Sequence, residues 1–259
     1  MTPERATMVL RLAGPLQSWG VSSQFNRRST ADRPSKSGVI GLLAAAQGRR
    51  RGESITDLLD LSLGVRVDQP GTLLRDYHTV SRYTGEPLPS ASVNAKGVQK
   101  KTSPKKPTHV THRYYLQDAV FVTAVSGQAQ FIVELIEAIR RPRFPLALGR
   151  RSCPPAHPLL LAHEDGLLWP TDTTETLHHV PWQKPASPQV QRRYGAEVTV
   201  AATIDDPAGS DELLDVPMSF EPRARGFQSR RVRHDWITLE TGLESHVADA
   251  HDPFALLGW

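Results

Sequence analysis

Tyr77, His78, Lys106, His109, His112 and Tyr114 fall within one stretch of the chain and hold the side-chain types that can move a proton at a phosphodiester. Cutting RNA without a metal needs a base for the 2′-hydroxyl and an acid for the leaving oxygen, and histidine, tyrosine and lysine can each serve. The same types are common in any hairpin that contacts RNA, so a binding surface competes with a metal-independent endoribonuclease. His109 and His112 have a spacing that can pinch a metal, but no third ligand accompanies them, and the adjacent His178 and His179 also lack partners. Carboxylates are scarce in the basic half of the chain, which argues against a two-magnesium nuclease. No catalytic residue, metal ligand or cofactor is therefore assigned.

A second constellation suits phosphate binding. Ser35, Lys36 and Ser37 stand where a helix begins, close in sequence to Arg27, Arg28 and Arg33. Free backbone N–H groups, the helix dipole and these side chains together favour an anion. Capping alone explains the serines equally well. The string lacks the first glycine and the Gly-Lys-Ser/Thr order of a nucleotide P-loop, so a phosphodiester backbone is the better ligand. Arg150 and Arg151, flanked by Gly149 and Ser152, present forked donors matched to phosphate. Lys100, Lys101, Lys105, Lys106 and Arg113 lie in a run from Pro87 to Gln117 that contains no acid. A polyanion is the natural partner for such segregation of charge.

These residues need elements to position them. Pro34 excludes Arg33 from the helix, Gly48 is its expected left-handed stop, and Val39, Leu42, Leu43 and Ala46 form its core stripe. Gly38, Gly41 and Ala45 leave a low ridge for close approach. Strands are expected at Thr7 to Leu12, Ser62 to Asp68, Thr72 to Val80, Thr111 to Leu116 and Asp118 to Val125, with a second helix from Gln128 to Arg140. Phe144 to Leu148 would supply a last short strand. This order suits a ferredoxin-like sheet, one face of which is an RNA platform in other proteins. Between Val80 and Thr111 a polar excursion rich in Pro, Ser, Thr and Lys is too long for an ordinary connection. Beyond Pro154 the composition shifts, with strands at Glu197 to Ile204 and Trp236 to Glu240, so a smaller, mainly β unit is expected.

The chain has 259 residues, of which 39% are hydrophobic, enough for a sizeable core. The net charge of +4 matters less than its placement. The single cysteine, Cys153, precludes an internal disulfide and reads as a small packed residue without an activating base. The longest apolar run is too short to span a bilayer, so no membrane association is expected and the cytoplasm is the expected location.

Four stretches resemble a known family: Leu10 to Gly20, Pro34 to Gly38 with Gly41-Leu42-Leu43, Arg75 to Val80, and Leu148 to Pro158. They look like the signatures of the fifth CRISPR-associated family, in the RAMP superfamily, in its type I-E Cascade form. The resemblance implies an α+β fold with a ferredoxin-like (RAMP/RRM-like) domain over 1–152 and a β-hairpin thumb at about 80–112, to which the shift in composition adds the smaller, mainly β C-terminal domain over 153–259. It implies a non-catalytic subunit that holds the 5′ handle of the CRISPR RNA, with the backbone subunit CasC and the large subunit CasA as partners. Target DNA near the thumb is a further candidate partner. Carried over by position, RNA contacts fall at Gln17 and Trp19, at Ser35, Lys36 and Ser37, and at Arg150, Arg151 and Ser152. The basic stretches add Arg27, Arg28, His78, Lys100, Lys101, Lys105, Lys106, His112 and Arg113.

Overall fold

The computed structural model describes residues 4–20, 27–82, 84, 86, 89–93, 95, 98–101, 108–185, 187–221 and 225–243. A strand β1 (Arg5–Ala13) leads through the short β2 (Leu16–Gln17) and β3 (Arg27–Arg28) into helix α1 (Lys36–Gln47) and the turn-like α2 (Thr56–Leu59). Next come β4 (Ser62–Gln69), β5 (Thr72–Ser81), β6 (Pro89–Val93), β7 (Gln99–Lys101), β8 (Thr108–Gln117), β9 (Val120–Gln128) and α3 (Ala129–Arg140). The chain continues with β10 (Leu160–Leu161), α4 (Thr173–His179), α5 (Pro188–Gln191), β11 (Glu197–Asp205), β12 (Asp211–Ser219) and β13 (Gly226–Glu240).

The main sheet has seven strands in the order β10-β1-β9-β4-β11-β13-β12. Its first four give the split β-α-β arrangement expected of a ferredoxin-like sheet, with β9 antiparallel to both β1 and β4. Alternation along β1 divides its side chains: Met8, Leu10 and Leu12 face α1 and α3, while Val9 faces the opposite side. The ends of α1 match their local chemistry. Ser35 caps the first turn by accepting a hydrogen bond from the Gly38 N–H, and Gly48 stops the helix at φ +83°.

Three expectations are corrected. Phe144 to Leu148 is not a strand: the N–H groups of Arg143 and Phe144 instead satisfy the carbonyls of Ala46 and Ala45 at the C-terminal end of α1. The fourth ferredoxin strand is β10, eight residues past the expected boundary at 152. Beyond it, β11 pairs with β4, so the C-terminal strands extend the same sheet and do not form a separate layer. Finally, the face turned away from α1 and α3 is no RNA platform, because Trp169, Leu177, Val180 and Trp182 pack on Val9, Val122 and Ala124 there.

A buried ion pair anchors that covering segment. Arg66 and Asp68, both on β4 and both wholly inaccessible, are joined by bonds of 2.7 and 2.9 Å. Arg66 also donates to the carbonyls of Leu177, Val180 and Pro181, and Asp68 accepts from the Gln183 N–H at 2.7 Å.

Gly149 is fixed sterically. It sits at φ +83°, and a Cβ there would stand 1.9 Å from the Ser18 carbonyl oxygen. Gly149→Ala is therefore expected to lower stability by at least the ~1–3 kcal/mol of a strained backbone. An unchanged thermal midpoint would show that the Ser18 loop yields freely.

Candidate nucleic-acid interface

The signature residues of the first loop are a structural hub. Gln17 donates to the carbonyls of Leu12 at 2.9 Å and Ala119 at 2.7 Å, and its own oxygen accepts the Trp19 indole N–H at 3.2 Å. Trp19 is 0% exposed and packs on Gly38, where a Cβ would meet the indole at 2.7 Å. The low ridge of α1 thus receives an aromatic ring. The expectation that Gln17 and Trp19 contact RNA is corrected on this basis: both side chains are enclosed and already satisfied.

The start of α1 is corrected in the same way. Lys36 is 7% exposed, and its ammonium lies 2.8 Å from an Asp205 carboxylate oxygen. Its backbone N–H donates to Asp215 at 2.7 Å. Asp215 and Asp205 are in turn held by Arg230, with Arg230 Nε 2.7 Å from Asp215. Burial alone would lower the Arg230 pKa, but the bonds and charges of Asp215 and Asp205 outweigh it and hold it above its ordinary value. The anion site read from the sequence exists, and the carboxylate of Asp215 fills it. Ser35 and Ser37 are buried beside it with their hydroxyls 3.2 Å apart.

Arg150 is likewise spent internally. Its guanidinium donates to the carbonyls of Arg28 at 2.7 Å and of Ser29 and Tyr114 at 3.3 Å, and lies 5.0 Å over the Tyr115 ring. It clamps β3 against β8. Arg151 and Ser152 are exposed on the same turn, and burial pushes the neighbouring Cys153 thiol above its ordinary pKa.

The arm formed by β5 and β8 carries basic side chains that are not spent internally. These strands pair over ten positions, from Thr72↔Gln117 to Ser81↔Thr108, and β3 lies parallel to β8 on its other side. Alternation sorts the side chains by face. Arg75, Tyr77, His112, Tyr114 and Arg27 share one face. Tyr77 is 63% exposed and meets His112 edge-on at 5.6 Å, while Arg27 lies 5.2 Å over the Tyr114 ring. His112 Nδ1 is buried without a hydrogen-bond partner among the described residues, as are Arg113 Nε and His109 Nε2. The opposite face carries Arg28, Asp76, His78, Thr111 and Arg113, with His78 Nδ1 3.1 Å from the Thr111 hydroxyl.

His78 and His112 therefore point to opposite sides of a single hairpin, where they cannot act as acid and base on one phosphate. Lys100 and Lys101 lie on β7, which pairs with β6 in a small distal ladder. Lys105 and Lys106 lie outside the described residues. Among the described residues no group of three or more His, Cys, Asp or Glu is arranged to hold a metal, and no helix is long and apolar enough to cross a membrane. Arg75 escaped assignment from the sequence, and Tyr77 and Tyr114 were weighed there only for proton transfer. The period-two register against β8 is the signal that places all three beside His112.

A basic, aromatic hairpin arm on a ferredoxin-like sheet defines a class of RNA-associated protein, and comparison with known proteins specifies which. The family model described as CRISPR-associated protein (Cas_Cas5) matches residues 7–233, and the chain belongs to that family. It is 37% identical over 172 residues to the CRISPR system Cascade subunit CasD of Escherichia coli (strain K12), covering 61% of this chain and 70% of the relative. Among solved structures, a chain of a CRISPR RNA-guided surveillance complex superposes with a TM-score of 0.71 at 34% identity, covering 92% of each chain. A second, described as a Cas protein, gives a TM-score of 0.64 at 32% identity, covering 92% of this chain and 98% of the other.

Proposed function

We propose that this chain is a non-catalytic subunit of a Cascade-type surveillance complex in the cytoplasm and binds the 5′ handle of its CRISPR RNA. The observation that carries this reading is the hairpin face on which Arg27, Arg75, Tyr77, His112 and Tyr114 converge. Cations beside the exposed Tyr77 ring suit an unpaired strand, because a ring accepts a base of any sequence and a guanidinium a phosphate. Arg151 and Ser152, exposed on the turn that Arg150 anchors to β3 and β8, add to that surface, and the strand β7 carries Lys100 and Lys101. Arg28, His78 and Arg113 line its reverse side. Within the complex, CasC-type backbone and CasA-type large subunits are the expected neighbours, and the reverse side of the arm is available to target DNA.

The test pairs a binding assay with a cleavage assay. Purified protein should bind end-labelled repeat RNA in chelator and leave it intact on a denaturing gel. A discrete cut, lost on His112→Ala or Tyr77→Phe, would make the chain a metal-independent endoribonuclease. Absence of binding at low salt would remove the RNA reading altogether.

A further inference from the structure

A second cationic surface lies on the helical side of the molecule, apart from the arm. Arg143 and Phe144 close the C-terminal end of α1 with backbone bonds of 3.0 and 3.2 Å, and the Arg143 side chain packs against Gly48. This contact brings the end of α3 and the turn after it, with Arg140, Arg141 and Arg143, against the turn after α1, with Arg49, Arg50 and Arg51. Arg49 is paired with Asp57 and Arg140 with Glu137. Arg50, Arg51, Arg141 and Arg143 are exposed and have no carboxylate within ion-pair distance among the described residues. The negative ends of helix dipoles favour some cations here, but that effect fades within a turn and does not require four unpaired guanidiniums on two segments.

The two surfaces differ in composition. The arm interleaves rings with charge, which suits unpaired bases. The helical patch has one exposed ring, Phe144, at 42%, and is otherwise guanidinium. Such a surface can grip phosphates but offers little to a splayed base, so its fitting ligand keeps its bases stacked inside. We infer that the patch of Arg50, Arg51, Arg141 and Arg143 binds the phosphate backbone of duplex DNA, independently of sequence and of the RNA held on the arm.

The experiment measures fluorescence anisotropy of the full chain with a labelled duplex of arbitrary sequence across 50–200 mM salt, and in parallel with single-stranded handle RNA. Duplex binding with a Kd on the order of 10⁻⁵ M and a steep salt dependence is expected. Arg141→Ala/Arg143→Ala should weaken duplex binding by about tenfold or more at the low-salt end and flatten the slope by about 1.8. Arg50→Ala/Arg51→Ala should do the same without touching the contact to α1. Both pairs should leave handle RNA affinity within about twofold, whereas Arg75→Ala/Tyr77→Ala should do the reverse. The inference is overturned if the wild-type chain ignores duplex, if both arginine pairs retain its affinity and slope, or if the arm variant alone abolishes duplex binding. A wild-type chain that binds duplex but not handle RNA would instead strike the arm reading and leave the patch standing.

Discussion

Asp68→Ala is expected to remove about 3–5 kcal/mol of folding stability, a large fraction of the ~5–15 kcal/mol that typical domains possess. The substitution strands the Arg66 guanidinium in an interior where both partners are wholly inaccessible. It also deprives the Gln183 N–H of its acceptor. Chemical denaturation would read the loss as a lower midpoint at unchanged slope. Replacing both residues by apolar ones often rescues a buried pair, but here Arg66 also serves the carbonyls of Leu177, Val180 and Pro181. Arg66→Met/Asp68→Leu is thus expected to remain well below wild type, because unsatisfied buried carbonyls each cost ~1–3 kcal/mol. An Asp68→Ala midpoint indistinguishable from wild type would mean that water reaches the pair.

The largest effect on binding is expected from Arg75→Ala/Tyr77→Ala. Losing one stacked base costs ~1–3 kcal/mol, or roughly 5- to 150-fold in affinity, and each lost phosphate contact lowers the salt slope by about 0.7 on a single strand. Handle RNA affinity should fall by at least tenfold, by this reckoning about one decade for the ring alone. His78→Ala on the reverse face is the matched control, and little change is expected from it. If the two variants weaken binding equally, the arm does not present the strand on the Tyr77 face.

The legible parts of this fold were those whose signals are local. Pro34, Ser35 and Gly48 bracket α1 because capping involves only neighbours in sequence. The paired strands of the arm announce themselves through alternation, and the Cas5 signatures were visible as strings. What those strings do was harder to read. Gln17 and Trp19 look like ligand contacts in a loop, yet they tie β1, the turn between β8 and β9, and α1 together. Lys36 looks like a phosphate ligand until Asp205 is known to lie beside it. Neither fact is contained in spacing along the chain, because the partners are brought together only by the sheet. The last short strand failed for a related reason: Phe144 to Leu148 is apolar enough for a strand, but the Phe144 N–H is taken by the open end of α1 and the backbone of Leu148 by Cys153 and Ser18.

The distance between Lys36 and its partner also bears on how the chain is made. Asp205 follows Lys36 by 169 residues, and Asp215 follows by 179. During synthesis α1 and β4 emerge long before the strands that neutralise one and cover the free edge of the other. At ~5–20 residues per second, that interval is on the order of ten to thirty seconds. Throughout it the nascent chain exposes a cationic helix start and an unpaired strand edge beside a half-built core. The Asp205–Asp215–Arg230 network around Lys36 can therefore close only after that interval, once β11 to β13 have emerged.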